Sequence, residues 1–249
     1  MKKIDFRYAT PNIITLIGLC LGINSLKLAF EGNFQGSINF ILLAAILDAL
    51  DGRIARLIKG TSKFGAELDS LTDFVNFGIC PSIIIYFWSL NFYDFYGWIV
   101  TLIYIVACCL RLARFNINQD NNKNNWQINF FTGVPAPAAA GIILLPMILS
   151  FSKFHESLNL DYNVICIFTV IFVSFLMVSK IPTYAVKKIQ FTKNTFILFY
   201  FLIVSLFSFL FFQTFETLVI IGFVYIFSIP ISFFHYLKYS NPNKKNKLN

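Results

Sequence analysis

Apolar runs of roughly 18–23 residues recur from one end of the chain to the other, each long enough to cross a bilayer as a helix. In 249 residues, 57% are hydrophobic and only 13% charged, too apolar for an ordinary soluble domain and too long for a single anchor. No stretch alternates with the period of a transmembrane strand, so a barrel is not expected. The pattern predicts an all-α, polytopic membrane protein with about eight transmembrane helices. They fall near 12–30, 36–57, 70–90, 97–115, 131–150, 162–180, 194–212 and 216–237. The basic N-terminal stretch ahead of Pro11 and Asn12 lacks a small-x-small cleavage site, and reads as the start of a retained first helix. The whole of 1–249 is expected to be one integral membrane domain. Core helices occupy about 8–180, two further helices about 194–237, and a polar tail 238–249.

Eight spans put both termini on one side. All but Lys27 and Lys153 of the 20 lysines and arginines then fall on that side, which the positive-inside rule makes cytoplasmic. The formal charge of +8 is thus a bias toward anionic lipid, not a nucleic-acid signature. The five cysteines lie within apolar segments without metal spacing, and neither His155 nor His235 has a ligand partner in sequence.

One stretch breaks the apolar pattern. In "LDALDGRIARLIKGTSKFGAELDSLTDF" (47–74), Asp48 and Asp51 close the second span and Asp69 and Asp73 open the third. A carboxylate near the bilayer centre costs about 2.5–3.5 kcal/mol on insertion scales, less toward the interface. Asp48 and Asp51 are spaced i,i+3, and Asp69 and Asp73 i,i+4, so each pair projects from one helix face. A short cytoplasmic turn near "LIKGTSKF" folds the two faces together as a hairpin. Four converging acids repel unless cations sit among them, and oxygen-only ligands favour Mg²⁺ or Mn²⁺. Two ions held this way suit in-line displacement at phosphorus. Gly52 and Ala55 share the acidic face and Gly65 precedes Asp69 by one turn, leaving a hollow with Arg56 at its mouth. A small-residue stripe also serves tight helix packing, and a lone intramembrane Asp can be a proton relay. Four at these offsets are explained by neither.

The pattern D-x₂-D-G-x₂-A-R-x₈-G-x₃-D-x₃-D fits Asp48, Asp51, Gly52, Ala55, Arg56, Gly65, Asp69 and Asp73 without departure. It resembles the signature of the CDP-alcohol phosphotransferases. "TPNIITLIGLCLG", "GTSKFGAELDSLTDFVNFGICP", "RLARFN" and "FTGVPAPAAAG" narrow the resemblance to the membrane-integral bacterial phosphatidylserine synthases over about 8–150. Val134 stands where that group is expected to carry Leu. The resemblance implies transfer of a phosphatidyl group from CDP-diacylglycerol to L-serine, giving phosphatidylserine and CMP. It implies that Asp48, Asp51 and Asp69 hold metal, with Asp73 both second-metal ligand and catalytic general base. Gly52, Ala55, Arg56, Ser62 and Gly65 would line the cytidine diphosphate site. It further implies a homodimer in contact with membrane lipids, in the bacterial cytoplasmic membrane with its active site on the cytoplasmic side.

Serine hydroxyl is a poor nucleophile at neutral pH and needs a base in reach, which suits Asp73, the carboxylate deepest in span three. Its carboxylate needs a cation: Arg111 or Arg114 serves, unless these mark topology or bind lipid phosphate. Asn12 is either an end cap or, through its match to the family's Pro-Asn pair, a contact in the CDP-diacylglycerol site. Lys63 is either a phosphate contact there or a loop charge. Asn76, three residues after Asp73, adds a polar group on the acceptor side. Two rival readings stand. Another member of the superfamily would use glycerol 3-phosphate, inositol or choline as acceptor. A cation-coupled transporter would instead spread its acids over several spans near the midplane.

Overall fold

The computed structural model describes residues 6–58, 60, 62–117, 130–157, 161–184 and 193–240. The polar loop expected after span four and the C-terminal tail beyond Ser240 lie outside them.

Helix α1 (Phe6–Phe30) and helix α2 (Phe34–Leu57) form an antiparallel hairpin. Its turn uses Gly32 in the left-handed region (φ 77°), a conformation glycine adopts without a Cβ penalty. Asn33 caps α2, its side chain accepting from the Gly36 N–H at 2.9 Å. Midway, the Ser37 hydroxyl donates to the Ser25 carbonyl at 2.7 Å, tying the two helices. Helix α3 (Lys63–Asp73) starts at Ser62, whose hydroxyl accepts from Gly65 N–H at 2.9 Å.

No break separates α3 from helix α4 (Cys80–Trp88). They are joined through one π-helical stretch, Phe74–Ile79. Pro81 has no N–H to offer the turn before it, and the Phe77 carbonyl there instead accepts from the Tyr104 hydroxyl at 2.9 Å. Tyr104 is fully buried, so its phenol pins the π turn from helix α5 (Asp94–Ile117). Such turns are frequent at functional sites.

Helix α6 (Ala136–Phe151) is the central element, buried along nearly its whole length from Ala136 to Leu149. Around it pack Ile84 and Ile85 of α4, Tyr104 and Cys108 of α5, and Val170 and Val173 of helix α7 (Tyr162–Val178). An antiparallel ribbon of β1 (Phe130–Thr132) and β2 (Pro182–Tyr184) pairs Phe131 with Thr183. Helices α8 (Lys193–Phe212) and α9 (Thr214–Ser240) complete the described chain, α9 packing on α6 and β2. Outward faces expose Leu, Ile and Phe, for example Leu102, Phe168, Phe175 and Phe201, as lipid-facing helices do. All five cysteines are free.

The protein is mostly helical with several apolar segments suited to a membrane. Four are long and apolar enough to cross one: Ala9–Phe30, Lys63–Trp88, Leu90–Ile117 and Thr214–Leu237. Ala136–Phe151, Tyr162–Val178 and Tyr200–Phe212 are apolar but shorter. Helix α2 has the length, but its second half carries Asp48, Asp51, Arg53 and Arg56. The fifth apolar segment, expected from 131, becomes helical only at Ala136. Its first residues are in β1, and Gly133 (φ 75°) turns the chain before Pro135.

Candidate active site

The acidic pairs converge. Asp48 and Asp51 from the end of α2 and Asp69 from α3 each offer a carboxylate oxygen, all within 4.8 Å of one another. Asp51 is almost fully buried, while Asp48 and Asp69 are half-buried. Asp73 lies one turn deeper, its carboxyl against that of Asp48. One Asp73 oxygen is buried without a hydrogen-bond partner. Carboxylates this close in a low-dielectric region repel strongly, so the arrangement calls for positive charge among them. Three oxygen ligands at this separation fit a hard divalent ion.

Beside the triad is a cavity of about 180 Å³ between α1, the end of α2 and the start of α3. Asp51 and Asp69 form its acidic wall, and Asn12 and Thr15 of α1 the facing one. Gly52, Ala55, Gly60, Ser62 and Gly65 line the rest. Their smallness makes the space: a Cβ on Gly65 would come 2.9 Å from the Asn12 side-chain oxygen and 3.1 Å from Ser62 Oγ. Of the residues expected around a cytidine diphosphate, Asn12, Gly52, Ala55, Ser62 and Gly65 are thus together in one hollow. Arg56 and Lys63 do not line it. Both are exposed near its mouth, with Arg56 Nε donating to the Gly52 carbonyl at 2.9 Å.

The expected acceptor residues separate. Arg111 is half-buried, donates from Nε to the Val134 carbonyl at 2.6 Å, and its charge interacts with Asp73. Arg114, one turn on, donates to the Val178 carbonyl at 2.6 Å and so ties α5 to the end of α7. Asn76 is buried in the π turn against Gly18 and Gly22 of α1, and both its amide atoms lack partners. With Thr72 Oγ1 and Asp73 Oδ1, it gives the 72–76 stretch four buried, unpaired polar atoms. Orphaned polar atoms are rare in native interiors, so these four call for partners such as water or an ion.

The sequence does not single out Thr15, Gly60 or Ala66, which also line the cavity. The Thr15 hydroxyl donates to Asp51 Oδ2 at 2.6 Å, with the Pro11 carbonyl a longer alternative at 3.0 Å. Its only sequence signal is its place one turn after Pro11-Asn12. Ser70, whose hydroxyl reaches Asn116 Oδ1 at 3.2 Å, likewise links α3 to the "RLARFN" segment.

The sequence model of the CDP-alcohol phosphatidyltransferase family matches residues 8–171. The chain belongs to that family. The match contains every acidic residue of the site and ends within α7, so α8 and α9 lie beyond it. Among curated family relatives, a CDP-diacylglycerol–serine O-phosphatidyltransferase of Mycobacterium tuberculosis is 42% identical over 142 residues, 55% of this chain and 49% of the relative. The chain thus spans about half the length of the mycobacterial relatives it matches. A Helicobacter pylori protein of the same name is 36% identical over 197 residues, covering 77% of this chain and 78% of the relative. An archaetidylserine synthase of Methanothermobacter thermautotrophicus is 32% identical over 185 residues, 72% and 71% of the two chains.

Proposed function

We propose that this protein transfers the phosphatidyl group of CDP-diacylglycerol to L-serine, giving phosphatidylserine and CMP. The reaction is placed on the cytoplasmic face of an eight-span bacterial membrane protein, the side to which the lysines and arginines are biased. The observation that carries the reading is the convergence of Asp48, Asp51 and Asp69 on a small-residue cavity, in a chain whose relatives bear these names. Glycerol 3-phosphate, inositol and choline remain as outcomes of the acceptor test.

Asp48, Asp51 and Asp69 would hold one divalent ion, Mg²⁺ or Mn²⁺, and Asp73 with its neighbours a second; bound there, such ions supply the positive charge that offsets the diphosphate. Asn12, Gly52, Ala55, Ser62 and Gly65 receive the cytidine diphosphate, while Arg56 and Lys63 attract its charge at the mouth. Arg111 pairs with the serine carboxylate, since its charge already faces Asp73. Arg114 serves instead as a tether to α7. Asn76 offers its free amide on the same side. Asp73 accepts the proton of the serine hydroxyl as its oxygen bonds to phosphorus. The phosphorus–oxygen bond to CMP breaks, and CMP leaves with the electron pair. Among the described residues no cysteine or histidine lines the acidic cavity, which favours direct displacement over a phosphatidyl-enzyme.

Asp73→Asn is expected to lower kcat by roughly 10²–10⁴-fold, the usual contribution of a positioned base, with CDP-diacylglycerol binding retained. Turnover within tenfold of wild type would remove Asp73 from that role.

A further inference from the structure

Helix α9 lies outside the family match, yet it packs on α6 and β2, the elements next to Arg111 and its Val134 anchor. Thr217, Val219, Ile229 and Ser232 are buried and Gly222, Tyr225 and Ile226 half-buried, an i,i+3/i+4 stripe turned inward. Gly222 sets the approach: a Cβ there would overlap the Leu145 side chain of α6. Three residues on, the same face presents Tyr225, packed against the core.

The Tyr225 hydroxyl is buried next to the Thr183 hydroxyl of β2, without a hydrogen bond of good geometry. It lies within electrostatic reach of the Arg111 guanidinium. Thr183 donates its own proton to the Gly133 carbonyl at 2.8 Å. Arg111 Nε is committed to the next carbonyl, that of Val134, leaving the outer guanidinium nitrogens for other acceptors. The Gly133–Val134 turn therefore fixes both neighbours of the phenol. A buried phenol with no well-formed hydrogen bond, within reach of a guanidinium that faces Asp73, adds a second donor on the acceptor side.

We propose that Tyr225 is a specificity-determining residue of the acceptor site: its O–H and the Arg111 guanidinium together receive the carboxylate of the incoming acceptor. This rests on the proposed transfer to serine and extends it, since it makes α9 a wall of the acceptor pocket. A monoanionic planar carboxylate accepts from both donors at once, whereas choline or inositol leaves them unmatched.

The test is Tyr225→Phe in the full-length protein in detergent, which removes one oxygen and keeps the ring. KM for serine is expected to rise by roughly tenfold, the loss of one hydrogen bond to a charged group. The kcat, the KM for CDP-diacylglycerol and the melting temperature should stay near wild type. A serine KM within twofold of wild type overturns the role of Tyr225. So does a variant that no longer folds, because an oxygen serving only the acceptor is dispensable without it. Wild-type turnover with serine is the control: its absence overturns the parent reading, whereas its presence with an unmoved Y225F KM overturns this inference alone.

Discussion

Thr15 lies outside the eight-position acidic signature and belongs to a different helix, so its role can be tested without touching a ligand. Its hydroxyl donates to Asp51 Oδ2 at 2.6 Å, within the range of a bond to an ionised carboxylate. A hydroxyl has one proton, and this contact is shorter than the 3.0 Å contact with the Pro11 carbonyl, so the carboxylate is the preferred acceptor. The bond aims Asp51, whose other neighbours are the like charges of Asp48 and Asp69. Thr15→Val keeps the shape of the side chain and removes the donor, so the packing cost is small. A bond to a charged group contributes about 1.5–3 kcal/mol, or roughly a 10- to 150-fold effect. Loss of an outer-shell partner commonly costs about 10–100-fold in metal affinity, which agrees. The assay is CMP release as a function of Mg²⁺ or Mn²⁺ concentration. The half-saturating concentration is expected to rise by roughly 10–100-fold in Thr15→Val and to stay near wild type in Thr15→Ser. A valine variant with an unshifted titration would falsify the orienting role.

Two glycines carry further predictions. In Gly22→Ala the new methyl overlaps the Asn76 amide oxygen, so Asn76 must leave its slot in the π turn; a loss of about 1–3 kcal/mol in stability is expected, read as a lower melting temperature. In Gly133→Ala the Cβ lies 2.8 Å from the Met177 carbonyl at φ 75°. A destabilisation of at least about 1–2 kcal/mol is expected, with a raised serine KM because the Val134 carbonyl no longer holds Arg111. An unchanged KM in a folded Gly133→Ala protein would count against Arg111 as the carboxylate partner.

The acidic core was legible because helical spacing alone puts Asp48 with Asp51 and Gly52 with Ala55 on their shared faces, and the short turn after α2 leaves little choice of partner. Gly65 was legible as the small residue one turn before Asp69, whereas Ser62 came only with the family resemblance, and its capping of α3 is seen only in the structure. What escaped was long-range. Thr15 reaches Asp51 across 36 residues, and nothing in its neighbourhood distinguishes it from any helical threonine. Strands of three residues such as β1 and β2 have no period to detect, which is why the helix expected from 131 begins at Ala136. Arg111 and Arg114 look equivalent in sequence; only the carbonyls of Val134 and Val178 separate them. Tyr225 was one aromatic among many in an apolar helix, and its environment is set by residues about 40 and 110 positions away.

The central claim is that the acidic cavity carries a serine-specific phosphatidyl transfer. The direct measurement supplies purified protein with CDP-diacylglycerol and divalent metal, and offers serine, glycerol 3-phosphate, inositol and choline separately. CMP and lipid products are followed by mass. The account predicts CMP together with phosphatidylserine, from serine alone and only with Mg²⁺ or Mn²⁺ present. CMP with a different lipid from another acceptor would contradict the acceptor assignment, and no CMP from folded protein with any acceptor would contradict the transfer itself.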